Sequence, residues 1–210
     1  MTPQVTSPLD QDEPSEPTSV PGEITSPKAS SRRWLIEWAV ILIVALGFAV
    51  LMRTFVVQTF FIPSGSMLPT LQVGDRILVN KLSYKVHDIH RGDIVVFGRP
   101  ALEPPEFADL VKRVVGLPGE TISAVNDRVY IDGKELNEPW LPKDTPTLSS
   151  PNDEPWNLSH PYTIPKGEYF VMGDNRTISE DSRYFGPIPK SLIVGRVFFR
   201  IWPLSRLGGL

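Results

Sequence analysis

From Trp34 to Met52 the chain is almost wholly apolar, with Glu37 near the start as the one charge. Coiled as a helix, the run extends about 28 Å, just enough to cross the hydrocarbon core of a bilayer. It is the only run of that length in the chain. Lys28, Arg32 and Arg33 precede it, whereas Arg53 stands alone on the far side. That excess of positive charge predicts a cytoplasmic N-terminus and places the bulk of the chain outside. Trp34 and Trp38 suit the inner interface, where an amphipathic ring keeps one edge wet.

Two other readings fit less well. Ala45-Leu46-Gly47 offers a small-x-small cleavage pattern, but it lies inside the apolar run, and the preceding tail is too long and acidic for a signal-peptide n-region. A core helix of a soluble protein would show a polar face, and this run shows almost none. The spacing therefore predicts a single transmembrane helix over residues 34–54.

Residues 1–33 are rich in Pro, Ser, Thr, Asp and Glu and nearly lack large apolar side chains before the membrane run. They bury too little surface to offset the entropy of ordering, which predicts a disordered cytoplasmic tail. Beyond Arg53 the periodicity changes. Short strand-like runs occur at Phe55–Ile62, Arg76–Asn80, Asp93–Phe97, Leu110–Val115, Thr121–Val125, Arg128–Ile131, Glu168–Met172 and Ile193–Trp202. Each is bounded by Gly, Pro, Asn or Asp, so residues 55–210 are expected to form a mainly β domain, an antiparallel sheet or distorted barrel. Asp132-Gly133 reads as the tight turn of a hairpin running from Val129 to Leu136. Prolines, 22 in all, concentrate in the tail and around residues 139–165. Residues 137–166 are thus expected to be a surface insertion, long enough for a lid or flap.

The composition narrows the chemistry. There is no cysteine, which removes thiolate nucleophiles, disulfides and thiolate zinc sites, and a net charge of −3 gives no general basis for binding nucleic acid. A serine-rich turn, Ser64-Gly65-Ser66-Met67-Leu68-Pro69-Thr70, follows the membrane run closely. A serine hydroxyl is a poor nucleophile until a base takes its proton. Of the three histidines, His87 and His90 flank Asp88 in a polar turn and His160 lies in the proline-rich insertion, so a Ser-His-Asp triad is weakly supported. Lysine does the same work when burial disfavours its charged form. Lys112 sits within Asp109-Leu110-Val111-Lys112-Arg113-Val114-Val115, where alternation puts Leu110, Lys112 and Val114 on one face and Val111, Arg113 and Val115 on the other. On spacing alone, a Lys-Arg pair inside a strand is more often an edge-strand charge or a salt-bridge partner than a catalytic base.

Four motifs in order resolve that ambiguity. Ser64 to Leu71, Arg91-Gly92-Asp93-Ile94-Val95-Val96-Phe97, Lys112 to Glu120, and Gly173-Asp174-Asn175-Arg176 followed by Ser179 to Gly186 together resemble the boxes of the type I signal peptidases. The resemblance covers most of the chain from Phe60 to Gly195. It implies that Ser66 is the nucleophile and Lys112 the general base of a Ser/Lys dyad. Ser64 would donate to the oxyanion and Ser179 would help orient the lysine. Arg113, Asp174, Asp181 and Arg183 would support the site through ion pairs. The walls of the substrate pockets would be Phe60, Ile62, Met67, Leu71, Ile77, Val96, Asp109, Leu110 and Val111, shallow and apolar, suited to alanine-like residues. No metal or other cofactor is implied.

By the same resemblance, the activity is a membrane-anchored serine endopeptidase that removes N-terminal signal peptides from translocated preproteins. Its partners would be signal-peptide-bearing preproteins, the lipid bilayer and the translocation machinery. Its place would be the plasma (inner) membrane, or another energy-transducing membrane of a bacterium or organelle, with the catalytic domain on the outer face. Thr177-Ile178 departs from the polar residues that many relatives carry there, and only one span precedes the serine. A non-catalytic anchored β module, or a self-cleaving Ser/Lys protease like those of the SOS repressor group, are the competing classes. The long membrane run and the Gly173–Gly186 box argue against the second.

Overall fold

The computed structural model describes residues 31–98, 100, 109–148 and 154–210. The expected disordered tail, apart from its last three residues, lies outside this set.

An apolar stretch with no helix breaker forms one long helix, α1 (Ser31–Phe55). Its side chains from Arg32 to Val50 are all exposed, and that segment is long and apolar enough to cross a membrane. Trp34 and Trp38, one turn apart, meet edge to face at 6.1 Å. The chain divides into two units, one ending at Val44 and the other running from Ala45 to Leu210.

The second unit is built from β1 (Val57–Phe61), β2 (Arg76–Asn80), the short helix α2 (Ser83–Val86), β3 (Ile94–Gly98), β4 (Asp109–Gly116), β5 (Thr121–Val125), β6 (Arg128–Ile131), β7 (Lys134–Glu135), β8 (Tyr162–Thr163), β9 (Glu168–Met172), the short helix α3 (Ser182–Phe185), β10 (Ile188–Pro189), β11 (Ile193–Trp202) and β12 (Gly208–Gly209). All pairings are antiparallel. The main sheet runs β1-β2-β11-β3-β4-β9-β10, with β12 added to β11, and a smaller sheet runs β7-β6-β5-β8. The fold is mainly β, as the strand spacing predicts. The expected strand from Phe55 loses Phe55 to α1 and Val56 to the turn that follows, because the helix continues to Phe55 before the backbone extends.

The side-chain period of two explains why β3 is apolar throughout. Ile94 and Val96 enter one core with Ile62, Met67, Leu71, Ile77, Val79 and Val197. Val95 and Phe97 enter another with Ile89, Val114, Tyr169, Val171 and Ile188. Both faces of the sheet are therefore covered at β3. A third core, with Val115, Ile122, Val129, Phe170 and Met172, lies under the smaller sheet.

Asp132 and Gly133, both at positive φ, close the β6–β7 hairpin, as that sequence predicts. Asn126 and Asp127 close the β5–β6 hairpin in the same way. Residues 137–166 are more than a surface insertion. Leu158 and Ile164 are buried in the third core, Thr147 is buried, and β8 pairs with β5.

Candidate active site

Three antiparallel strands fix the site. β4 pairs with β3 on one side, Val95 opposite Lys112, and with β9 on the other, Arg113 opposite Met172. The turn that leaves β9 at Gly173 is thereby brought beside Arg113. The serine turn is held from below by Met67 and Leu71, 1% and 0% exposed in the first core. It is tightened by Leu68 N–H donating to the Gly65 carbonyl (3.1 Å) and Leu71 N–H to the Met67 carbonyl (2.9 Å).

Lys112 Nζ lies 2.7 Å from Ser66 Oγ, and Lys112 is only 3% exposed. Burial is the largest influence on its amine and disfavours the ammonium; Asp181 opposes it and the Arg183 charge reinforces it. The balance lowers the pKa from 10.5 to about 8, so a neutral amine is accessible near physiological pH. Ser64 Oγ stands 3.4 Å from Ser66 Oγ. His87, His90 and His160 are all exposed, and His160 Nδ1 is shared with Ser159 Oγ at 3.0 Å. Among the described residues Lys112, not a histidine, lies within hydrogen-bond reach of Ser66.

Two buried ion pairs frame the Ser66–Lys112 contact. Arg113 grips Asp174 with two parallel bonds, Nε to Oδ1 at 2.8 Å and Nη2 to Oδ2 at 2.7 Å. Thr70 Oγ1 also donates to Asp174 (2.5 Å), and Arg113 Nη1 donates to the Gly92 carbonyl (2.7 Å). Arg183 grips Asp181 in the same fork, at 2.8 and 2.9 Å, and Gly173 N–H donates to Asp181 Oδ2 at 2.9 Å. Burial alone would raise the Asp181 carboxyl; the Arg183 hydrogen bonds and charge, the Gly173 N–H and Lys112 outweigh it and hold it below the usual carboxylate range.

Ser179 Oγ, which the resemblance implies helps orient the lysine, is buried and has no hydrogen-bond partner among the described residues. Gly173 explains how close the packing is: a Cβ there would lie 2.2 Å from Ser179 Oγ and 2.4 Å from the Ser66 carbonyl oxygen.

A cleft at the Ser66–Lys112 contact is lined by Phe60, Ile62, Ser64, Ser66, Met67, Asp109, Leu110, Val111 and Lys112, together with Phe61 and Pro63, which sequence reasoning passed over. Leu71, Ile77 and Val96 are fully buried in the first core and do not line that cleft. They support its floor through Ile62 and Met67, with which they share that core.

Sequence reasoning gave no role to Asn175 and Arg176 within the last box. Asn175 N–H donates to the Ser66 carbonyl (3.0 Å) and its Nδ2 to the Gly65 carbonyl (3.3 Å). Arg176 is fully enclosed and pairs with Glu138, 38 residues away in the proline-rich segment. The motif marked Arg176, but nothing local marked its partner.

The signal peptidase family, peptidase S26, matches residues 35–202 of the chain. Relatives include a signal peptidase I of Leptolyngbya laminosa, 39% identical over 100% of this chain and 97% of its own length. A probable signal peptidase I-1 of Synechocystis is 42% identical over 88% of this chain and 91% of its own. Signal peptidase IB of Staphylococcus aureus is 38% identical over 83% and 93%. A crystal structure of a signal peptidase I from Enterococcus faecalis aligns with a TM-score of 0.40 at 30% identity, covering 52% of this chain and 97% of that one. The chain belongs to the S26 signal peptidase family. It is an enzyme, a serine protease of the signal peptidase I type.

Proposed function

We propose that the protein is a membrane-anchored endopeptidase that cuts N-terminal signal peptides from translocated preproteins, with Ser66 as nucleophile and Lys112 as general base. The observation that carries this reading is the 2.7 Å contact between a buried lysine amine and a serine hydroxyl. Neutral Lys112 accepts the Ser66 proton as Oγ attacks the scissile carbonyl. The resulting ammonium donates that proton to the leaving amine, and the neutral amine then activates the water that hydrolyses the acyl-enzyme. Ser64 Oγ, within 3.4 Å of the attacking oxygen, is in reach of the developing oxyanion.

The sheet edges support an extended substrate. β1 ends the main sheet, and β4 pairs with β9 only from Arg113 onward, so Asp109–Val111 have β3 on one side and an open edge on the other. Main-chain bonding there gives affinity with little sequence demand, while the apolar cleft selects small side chains. Helix α1 supports a single-pass anchor, and the flanking charges support a cytoplasmic N-terminus with the β domain on the outer face of a plasma or other energy-transducing membrane. Restricting enzyme and preprotein to one thin layer raises their encounter frequency. Contact with the translocation machinery belongs to the same reading.

Purified full-length protein in lipid vesicles should cleave a preprotein with alanine at the first and third positions before the cut. Ser66→Ala and Lys112→Ala should each lose at least about 1,000-fold in kcat while melting as cooperatively as the parent. Wild-type turnover by either variant would end the dyad assignment.

A further inference from the structure

Segment 138–147 meets both arginines that flank the serine turn. Trp140 lies over the Arg113 guanidinium at 5.1 Å, and its ring would be 3.2 Å from a Cβ added at Gly92. The contacts to Arg176 are more demanding. Its side chain is 0% exposed, and four bonds occupy it: Nε to the Gly173 carbonyl (3.2 Å), Nη1 to Thr147 Oγ1 (2.6 Å) and Glu138 Oε2 (2.9 Å), and Nη2 to Glu138 Oε1. The Gly173 peptide is therefore held at its carbonyl by Arg176 and at its N–H by Asp181. Two residues on, Asn175 N–H holds the Ser66 carbonyl. A carboxylate in the proline-rich segment is thus joined to the backbone of Ser66 through one guanidinium and one short turn.

We propose that Glu138, acting through Arg176, is a positioning residue for the catalytic serine, so that residues 138–147 serve as a brace for the active site. The proposal rests on the reading of Ser66 as nucleophile. A buried ion pair is a weak device for stability alone, since well-packed apolar residues do as well. A planar fork gripped at both nitrogens fixes orientation, which a single apolar contact does not. Orientation is what a nucleophile needs, because a displacement near 1 Å can cost about 100-fold in rate.

The test uses the full-length protein in detergent micelles, with Glu138→Gln and, should that variant fold poorly, the shorter carboxylate of Glu138→Asp. For Glu138→Gln the proposal expects kcat per folded molecule to fall at least tenfold at unchanged KM, with the alkaline rising limb of the pH profile unmoved because Lys112 keeps its surroundings. Glu138→Asp should recover part of that loss. A second readout needs no turnover: exchange of the Asn175 amide, measured by NMR in a Ser66→Ala background, should quicken at least tenfold on Glu138→Gln. Unchanged kcat together with unchanged Asn175 exchange would overturn the proposal, even if the melting temperature fell. Were wild type and Ser66→Ala to cleave alike, the peptidase reading would fail, and the amide exchange would still decide whether Glu138 holds this turn.

Discussion

Lys112 Nζ and Ser66 Oγ, 46 residues apart in sequence, lie 2.7 Å apart in a site where the lysine is 3% exposed. The amine must be neutral to take a proton, and its pKa is lowered to about 8. The neutral fraction rises as pH passes through that value, so the kcat/KM profile should climb to a plateau with its rising limb near pH 8. Steady-state cleavage between pH 6 and 11 measures it; a limb at the ordinary lysine value would mean that the amine is not desolvated.

The same burial weighs on the fold. The folded pKa is about 8 and the ordinary value 10.5, so between them the unfolded chain binds more protons and stability rises with pH. Below pH 8 the penalty is fully present, on the order of 3 kcal/mol. Lys112→Met removes it at the loss of about 1 kcal/mol of hydrogen bonding to Ser66. The inactive variant should therefore be about 2 kcal/mol more stable at pH 7 and should lose that advantage above pH 10.5. Urea unfolding at the two pH values checks both the size and the sign.

Gly173→Ala should disable the enzyme although Ser66 and Lys112 themselves are retained. The added methyl carbon would meet Ser179 Oγ at 2.2 Å and the Ser66 carbonyl oxygen at 2.4 Å, and one of those atoms is backbone. Overpacking of this kind costs about 1–3 kcal/mol, and relief requires the serine turn to shift. A lowered melting temperature and a kcat reduced at least about 100-fold are expected; a variant with normal kcat would show that the turn tolerates displacement.

Ser179→Ala separates stability from chemistry. The buried hydroxyl has no hydrogen-bond partner among the described residues, so its removal should leave stability unchanged or raise it by about 1 kcal/mol. If Ser179 steadies the lysine during proton transfer, kcat should nonetheless drop at least about tenfold. Calorimetry and kinetics on one preparation test the two halves, and a fully active variant would remove Ser179 from the reaction.

Local order in the chain carries much of this protein. An unbroken apolar run makes α1, alternating short runs make strands such as Glu168–Met172 and Ile193–Trp202, and Asp132-Gly133 makes a hairpin, because each depends only on neighbours in sequence. The motifs likewise marked Ser66, Lys112 and the residues paired as Arg113–Asp174 and Asp181–Arg183. Tertiary packing decided what no window of residues could show. It set Lys112 against Ser66, sank Leu71, Ile77 and Val96 into the core beneath the cleft, left Ser179 Oγ without a hydrogen-bond partner among the described residues, and brought Glu138 across 38 positions to Arg176. Periodicity encodes the conformation of a segment, whereas distances between segments exist only once the sheet has closed around them.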